Sequence, residues 1–384
     1  MNDSLFPLIW LVLLAFGIGI IGVTNALRFI TFKLQEDPQL SEQCRQQYAF
    51  LNGIRAVLWL LLLLLFIGSI AAYFWENNRE KAQTDTKRLQ LIPVFDKDKI
   101  WEAPDYFLAE TDEASVLIQY GRDLIAHTQD YFGENGLVRR ASINGMNCQN
   151  CHLDAGTKPF GNNYFGVQST YPQIRARSGA LETISKRIND CFQRSLNGQA
   201  LDTTSHEMQA MQAYMRWLGT GIPKGIKPKG QGLVEVPFLH RPANPQGGQK
   251  IYAEKCASCH GSDGHGLPMP ESPRYYPPLW GEKSYNESAG LFRLSRLAGY
   301  VKANMPLGAS YQNPQLSDEE AWDVAAFINT QPRPKHQFLT IDWPNITKKP
   351  FDHPFGPFVD SFPAAQHKFG PFEPIIAFQT AQKK

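Results

Sequence analysis

Apolar residues are spread along this chain in two different ways. Over residues 5–27 and again over 56–75 they run almost unbroken, with leucine continuous from Leu60 to Leu65. Each run reaches the ~20 residues a helix needs to cross the hydrocarbon core of a bilayer, and the second is too apolar for a buried soluble helix. The pattern predicts a transmembrane hairpin within residues 1–78. The opening Met1-Asn2-Asp3-Ser4 lacks the basic region that begins a cleavable export signal, so the hairpin is expected to be retained. A polar stalk follows over residues 79–110, interrupted by the short apolar patch Leu91-Ile92-Pro93-Val94-Phe95.

Beyond the stalk, apolar residues recur at helical spacing. Residues 114–131 carry Leu117, Ile118, Leu124 and Ile125 on one side; residues 180–196 stop at Gly198, and residues 206–218 stop at Gly219. A Gly-, Pro- and Lys-rich stretch, 221–245, reads as a linker. A short helix over 246–252 and a closing helix over 316–328 come next. The closing helix has capping-box spacing at Ser317 and Glu320 and a buried stripe of Trp322, Ala325, Ala326 and Phe327. The tail, 332–384, holds nine prolines and many aromatics, and is expected to wrap the rest in an extended conformation.

Between the first and second helix of each half stands the same string: Cys148-Gln149-Asn150-Cys151-His152, then Cys256-Ala257-Ser258-Cys259-His260. In C-x-x-C-H the two cysteines form thioethers to a haem and the histidine becomes an iron ligand. A structural zinc site would need a further cysteine pair, which the sequence does not supply. Two covalent haem c groups are therefore expected, on Cys148, Cys151 and His152 and on Cys256, Cys259 and His260. The fold class is mainly α: two class I cytochrome c-type domains in tandem, 111–220 and 246–331, behind the hairpin.

Charge fixes orientation more than partners. With 38 basic against 36 acidic residues the net charge is +2, with no basic tail, so nucleic acid is excluded as a partner. Arg28, Lys33, Arg45 and Arg55 lie between the two apolar runs while the N-terminal tail has no Lys or Arg, which places residues 28–55 in the cytoplasm and the N-terminus in the periplasm. Covalent haem attachment takes place outside the cytoplasmic membrane. Both arguments put the haem domains on the periplasmic side of a bacterial inner membrane.

Six cysteines are present and four are taken by haem. Cys44 falls in the cytoplasmic loop, which leaves Cys191 alone in an oxidising compartment. Lying 39 residues past His152, it is favoured over His206 as the sixth ligand of the first haem. Met208, Met211 and Met215 are read as core. For the second haem, Met305 lies 45 residues past His260, just before the closing helix, and is favoured over Met269; His265 reads as a surface or haem-propionate-side residue. On a helix over 180–196, Arg187, Cys191 and Ser195 form a stripe bordered by Arg194, with Arg175 and Arg177 just upstream. A cysteine among arginines is a thiolate-favouring site.

These residues resemble the dihaem thiosulfate dehydrogenases (tetrathionate-forming), periplasmic c-type cytochromes. The resemblance covers residues 111–374. Its carriers are the run from Asn147 to Gly156, the run from Arg187 to Gly198, Asn304-Met305-Pro306 and the tail string from Gln366 to Phe372. It implies His152 and Cys191 as ligands of a catalytic haem, His260 and Met305 as ligands of an electron-transfer haem, and Arg177, Arg187 and Ser195 as holding thiosulfate or tetrathionate. The hairpin departs from soluble members and leaves the acceptor open between a cytochrome c, a terminal oxidase and another respiratory complex. A competing reading is a non-catalytic dihaem subunit of a membrane respiratory complex; a third, a sulfur-carrying cytochrome, lacks a motif for a protein-bound sulfur acceptor.

Overall fold

The computed structural model describes residues 5–36, 42–90, 94–102, 112–272, 274–335 and 341–382. They divide into two compact units, Met1–Leu91 and Ile92–Lys384. The first contains helix α1, Leu5–Glu36, and helix α2, Glu42–Gln90, which pack against each other. Ile20 and Leu27 are buried, whereas Trp59, Leu63, Phe66 and Phe74 stay exposed. Within α2 the span Arg45–Arg79 contains an 18-residue stretch of mean hydropathy 2.5 and is long and apolar enough to cross a membrane. The helix continues to Gln90, into the stretch expected as stalk. No Gly or Pro interrupts residues 76–90, and Glu, Lys, Arg, Gln and Ala dominate them. Leu91, Ile92 and Pro93 of the apolar patch and the side chain of Cys44 lie outside the described residues.

The second unit carries two cytochrome-like folds built on one principle. In the first, α3 (Glu113–Ala126) crosses α5 (His206–Leu218), with α4 (Ile184–Arg194) between them in sequence. In the second, α6 (Pro245–Lys255) crosses α8 (Asp318–Thr330), with α7 (Leu294–Asn304) between. Five of these six helices start on a side chain that satisfies otherwise orphaned backbone N–H groups: Asp112, Thr183, Ser205, Asn244 and Ser317 cap α3, α4, α5, α6 and α8. The Ser317–Glu320 capping box forms as the spacing indicated. The helix expected over 180–196 begins later, because Leu181–Glu182 pairs with Gln173–Ile174 in a short antiparallel ladder that carries the arginine loop between its strands.

Both crossings depend on glycine. A Cβ on Gly121 would lie 2.0 Å from the Ala210 carbonyl oxygen, and one on Gly248 would lie 1.9 Å from that of Asp323. Either is closer than any carbon–oxygen contact allows, so the helices must separate when a methyl is added. Gly248→Ala is expected to destabilise the second fold by roughly 1–3 kcal/mol, read as a lower melting temperature and a lower yield of haem-loaded protein.

The two cores are separate but joined. The first gathers Leu124, Ile125, Phe132, Ile188 and Phe192 with Met208, Met211 and Met215, all buried, so the methionine stripe is core as the sequence reading held. The second gathers Tyr252, Trp280, Leu297, Trp322 and Ile328, and the tail's Phe372 and Ile375 join it. The tail is not wholly extended, as it was expected to be: Ala364–Phe369 and Glu373–Ala381 are helical. Pro374 sits in the first turn of the latter, where it costs no hydrogen bond, and the rest of both segments is free of Pro and Gly. Buried His367 pins this tail, bonded to Asp360 at 2.9 Å and to the Phe351 carbonyl at 2.8 Å.

Candidate functional site

The two C-x-x-C-H strings fold into single turns, Cys148–Asn150 and Ala257–His260; His260 ends the second, and His152 follows the first by two residues. The first turn is locked by Asn147 and Asn150, which cap one another, and by the Thr128 hydroxyl accepting from the Cys148 N–H at 3.0 Å. His152 donates from Nδ1 to the Asn162 carbonyl, and its ring stacks on Tyr164 with centroids 4.4 Å apart. His260 donates from Nδ1 to the Pro277 carbonyl at 2.9 Å. A backbone acceptor on Nδ1 fixes the tautomer that leaves Nε2 as the free donor atom, the arrangement of a metal-ligating histidine. Burial holds both rings neutral, pushing His152 down to about 4 and lowering His260 as well.

Each histidine borders a cavity. One, of 430 Å³, is lined by Cys148, His152 and Cys191 with Ile188, Phe192 and Met211. The other, of 390 Å³, is lined by Cys256, Cys259, His260 and Met305 with Leu297 and Val324; Met269 borders it too. None of the four string cysteines is in a disulfide. In the second fold two thiols, an imidazole with free Nε2 and a methionine sulfur surround one space; in the first, Cys148, His152 and Cys191 border the cavity and Cys151 borders the adjoining one, and both sets fit a haem c. Met305 packs against the second core at the end of α7.

A third cavity, of 260 Å³, shares His152, Arg187 and Cys191 with the first. Helix α4 supplies Arg187, Cys191 and Arg194, and Ser195 closes it, bonded through its N–H to the Cys191 carbonyl at 2.9 Å. Arg187 donates from Nη1 to Cys191 Sγ at 3.3 Å, and the sulfur's charge raises the Arg187 pKa above the ordinary arginine value. Arg177 borders the same cavity but is held: it donates to the Ser288 carbonyl at 2.8 Å and lies over the Trp343 ring. Burial and the neighbouring Arg194 lower its pKa to about 10. The Ser195 hydroxyl makes no hydrogen bond among the described residues and is free to donate to a ligand. The structure thus brings together Arg177, Arg187, Cys191 and Ser195, the four residues singled out for substrate chemistry.

It also brings residues the sequence reading missed. Asp342 accepts both terminal nitrogens of Arg194, at 2.7 and 2.9 Å, and faces Arg177 Nε at 3.9 Å. Next to it Trp343 adopts a φ of +63°, a conformation rare for a bulky residue and the kind of backbone strain that collects at functional sites. The tail is therefore part of the site as well as of the packing. Arg293 and Arg296, from the start of α7, border the cavity too. Cations in the first turn of a helix oppose its dipole, and only the docking of α7 on the cavity gives these two a role. The second fold also caps the cysteine helix, since Asn286 donates to the Gln193 and Arg194 carbonyls at 2.8 and 3.1 Å. The first attachment string in turn borders the second cavity through Cys151, and the Tyr300 hydroxyl donates to the Asn150 carbonyl at 2.7 Å.

Residues 134–223 match the family described as SoxA/TsdA, cytochrome c domain, and residues 246–332 match cytochrome c. The chain is 38% identical over 242 residues to a thiosulfate dehydrogenase of Psychrobacter arcticus, covering 63% of this chain and 71% of that one. It is 43% identical over 205 residues to a thiosulfate dehydrogenase of Allochromatium vinosum, covering 52% and 74%. Among solved structures, the thiosulfate dehydrogenase TsdBA of Marichromatium purpuratum aligns with a TM-score of 0.56 at 31% identity, over 62% of this chain and 51% of that one.

Proposed function

Because the chain belongs to the thiosulfate dehydrogenase family, as a cytochrome with two covalent haem c groups, we propose that it joins two thiosulfates into tetrathionate in the arginine cavity beside Cys191. The observation that carries this reading is that one 260 Å³ space is bordered at once by Cys191, by the haem-side His152 and by six arginines. Two thiosulfate dianions repel each other by on the order of 16 kcal/mol at 4 Å and an effective dielectric constant of ~20 before screening. Guanidinium forks offset that repulsion and match sulfonate oxygens in geometry. Asp342 keeps Arg177 and Arg194 in fixed orientation, so the forks are set before substrate arrives.

His152 and Cys191 would hold the first haem iron, and His260 and Met305 the second. The haems supply two one-electron acceptors, matching the two electrons released. Cys191 acts as the sulfur nucleophile. Its thiolate bonds to the sulfane sulfur of one thiosulfate, giving a cysteine S-thiosulfonate of charge −1 and releasing two electrons. The sulfane sulfur of a second thiosulfate then attacks that same sulfur, the cysteine–sulfur bond breaks, and tetrathionate leaves as Cys191 recovers its thiolate. Arg187 keeps a positive charge against the Cys191 sulfur throughout, and Ser195 donates to a sulfonate oxygen. Run backwards, the same steps split tetrathionate.

Helices α1 and α2 anchor the chain as a hairpin in the inner membrane, with the haem folds in the periplasm and residues 28–55 in the cytoplasm. The exposed apolar side chains along α2 and the basic residues Arg28, Lys33, Arg45 and Arg55 support this. The second haem, held by His260 and Met305, would supply the electron exit toward a cytochrome c, a terminal oxidase or another respiratory complex. The test is an anaerobic titration of the oxidised holoprotein with thiosulfate. Both haem absorption bands should shift to the reduced form, with one tetrathionate formed per two thiosulfates consumed. Haems that stay oxidised while a reduced partner cytochrome reduces them would leave an electron carrier without catalysis.

A further inference from the structure

The charges around the arginine cavity are nearly all matched. Asp342 answers Arg194 and Arg177, Glu182 lies 3.8 Å from Arg175, Asp352 accepts from Arg293 Nε at 2.7 Å, and Arg187 faces the Cys191 sulfur. Arg296 stands apart. It borders the same cavity, but its side chain makes no hydrogen bond and no ion pair among the described residues. Its nearest influences are mixed: Arg293 and Arg175 repel it while Asp352 and Glu235 attract it, and with burial the result is a lowered pKa. The side chain nevertheless keeps solvent access, so it sits in a wet cleft rather than in a core. Exposed to solvent and without a carboxylate of its own, this guanidinium is left free to take an anion that enters the cavity.

We infer that Arg296 is a substrate-anion ligand, contributed by the second cytochrome fold to a cavity otherwise centred on the first, and that it holds the sulfonate of the thiosulfate that arrives second. The inference rests on the reading of the cavity as the thiosulfate site. Arg187 and Ser195 are next to Cys191 in sequence and space, and so serve the thiosulfate that becomes attached there. Arg296 comes from α7, and it gives the incoming dianion a fork that is not engaged elsewhere. The active site is then shared between the two folds. A first fold expressed alone would keep its cysteine and lose two of the six arginines that border the cavity.

The experiment uses the full-length holoprotein as wild type, Arg296→Gln and Arg296→Lys. Tetrathionate binding to the oxidised protein, where no reductant is present and nothing turns over, is measured by calorimetry alongside thiosulfate steady-state kinetics. In Arg296→Gln the Kd for tetrathionate and the KM for thiosulfate are expected to rise about tenfold, with kcat within about twofold. Arg296→Lys should recover part of the loss, and the haem spectra and melting temperature should match wild type in both. Wild-type binding in Arg296→Gln would overturn the assignment. So would equal weakening in both variants together with a lower melting temperature, since that marks a structural role. Wild type that neither binds tetrathionate nor is reduced by thiosulfate would instead sink the underlying functional reading, and this inference with it.

Discussion

Cys191→Ala should keep both haems attached and lose thiosulfate oxidation by about a thousandfold or more, the scale on which removing a covalent nucleophile acts. The four thioether cysteines are untouched by this change. Alanine also suits position 191, which is half-buried in the middle of α4. The fold is therefore expected to survive, and a wild-type melting curve would show that it does. The loss should come with a spectral change confined to one haem, because the proposed ligand of the first iron disappears while His260 and Met305 remain. Haem reduction by dithionite should be intact and reduction by thiosulfate absent. A variant that still oxidises thiosulfate at the wild-type rate would remove Cys191 from the chemistry.

Arg187→Met should reduce kcat/KM for thiosulfate by roughly a hundredfold, equivalent to ~2.7 kcal/mol of transition-state stabilisation. Arg187 contacts the Cys191 sulfur directly, at 3.3 Å, and borders both the haem-side and the arginine cavities. Among the described residues it has no carboxylate ion pair, unlike Arg194, whose replacement would also strand buried Asp342. Its effect is therefore expected to fall on catalysis more than on folding. Two readouts separate this from general damage. Arg187→Lys should recover little, because an ammonium cannot span sulfur and sulfonate with a planar fork. The reduction potential of the first haem should fall, since a positive charge near the iron favours the reduced state. Unchanged potential together with unchanged kcat/KM would show that Arg187 is a bystander.

Much of the site was legible because its chemistry is local in sequence. The two C-x-x-C-H strings specify haem attachment within five residues each, and Cys191 stood out as the cysteine left without a partner in what the sequence reads as an exported segment. Arg187, Cys191 and Ser195 share a helix, so their spacing alone placed them together. The closing helix was equally readable, since Ser317, Glu320 and the stripe through Trp322 carry both its start and its buried face. What escaped is what tertiary contact decides. Asp342 lies 148 positions from Arg194, and nothing in a Pro- and Phe-rich tail announces that it clamps an arginine. Arg296 belongs to the other fold, and only the docking of α7 against the arginine cavity gives it a role. The late start of α4 follows from strand pairing across the arginine loop, which helical periodicity over 180–196 cannot reveal. Gly121 and Gly248 likewise look like ordinary helix-weakening residues until the crossing partner is in view.

The central claim is that sulfur–sulfur bond formation passes through Cys191, and trapping the attached sulfur tests it most directly. Oxidised holoprotein is mixed with one equivalent of thiosulfate, quenched in acid at a series of short times, and digested for mass spectrometry. The account predicts that the peptide containing Cys191 carries one added thiosulfate unit, and that a second equivalent removes it as tetrathionate appears. Tetrathionate formed in full yield with Cys191 unmodified at every time point would contradict it.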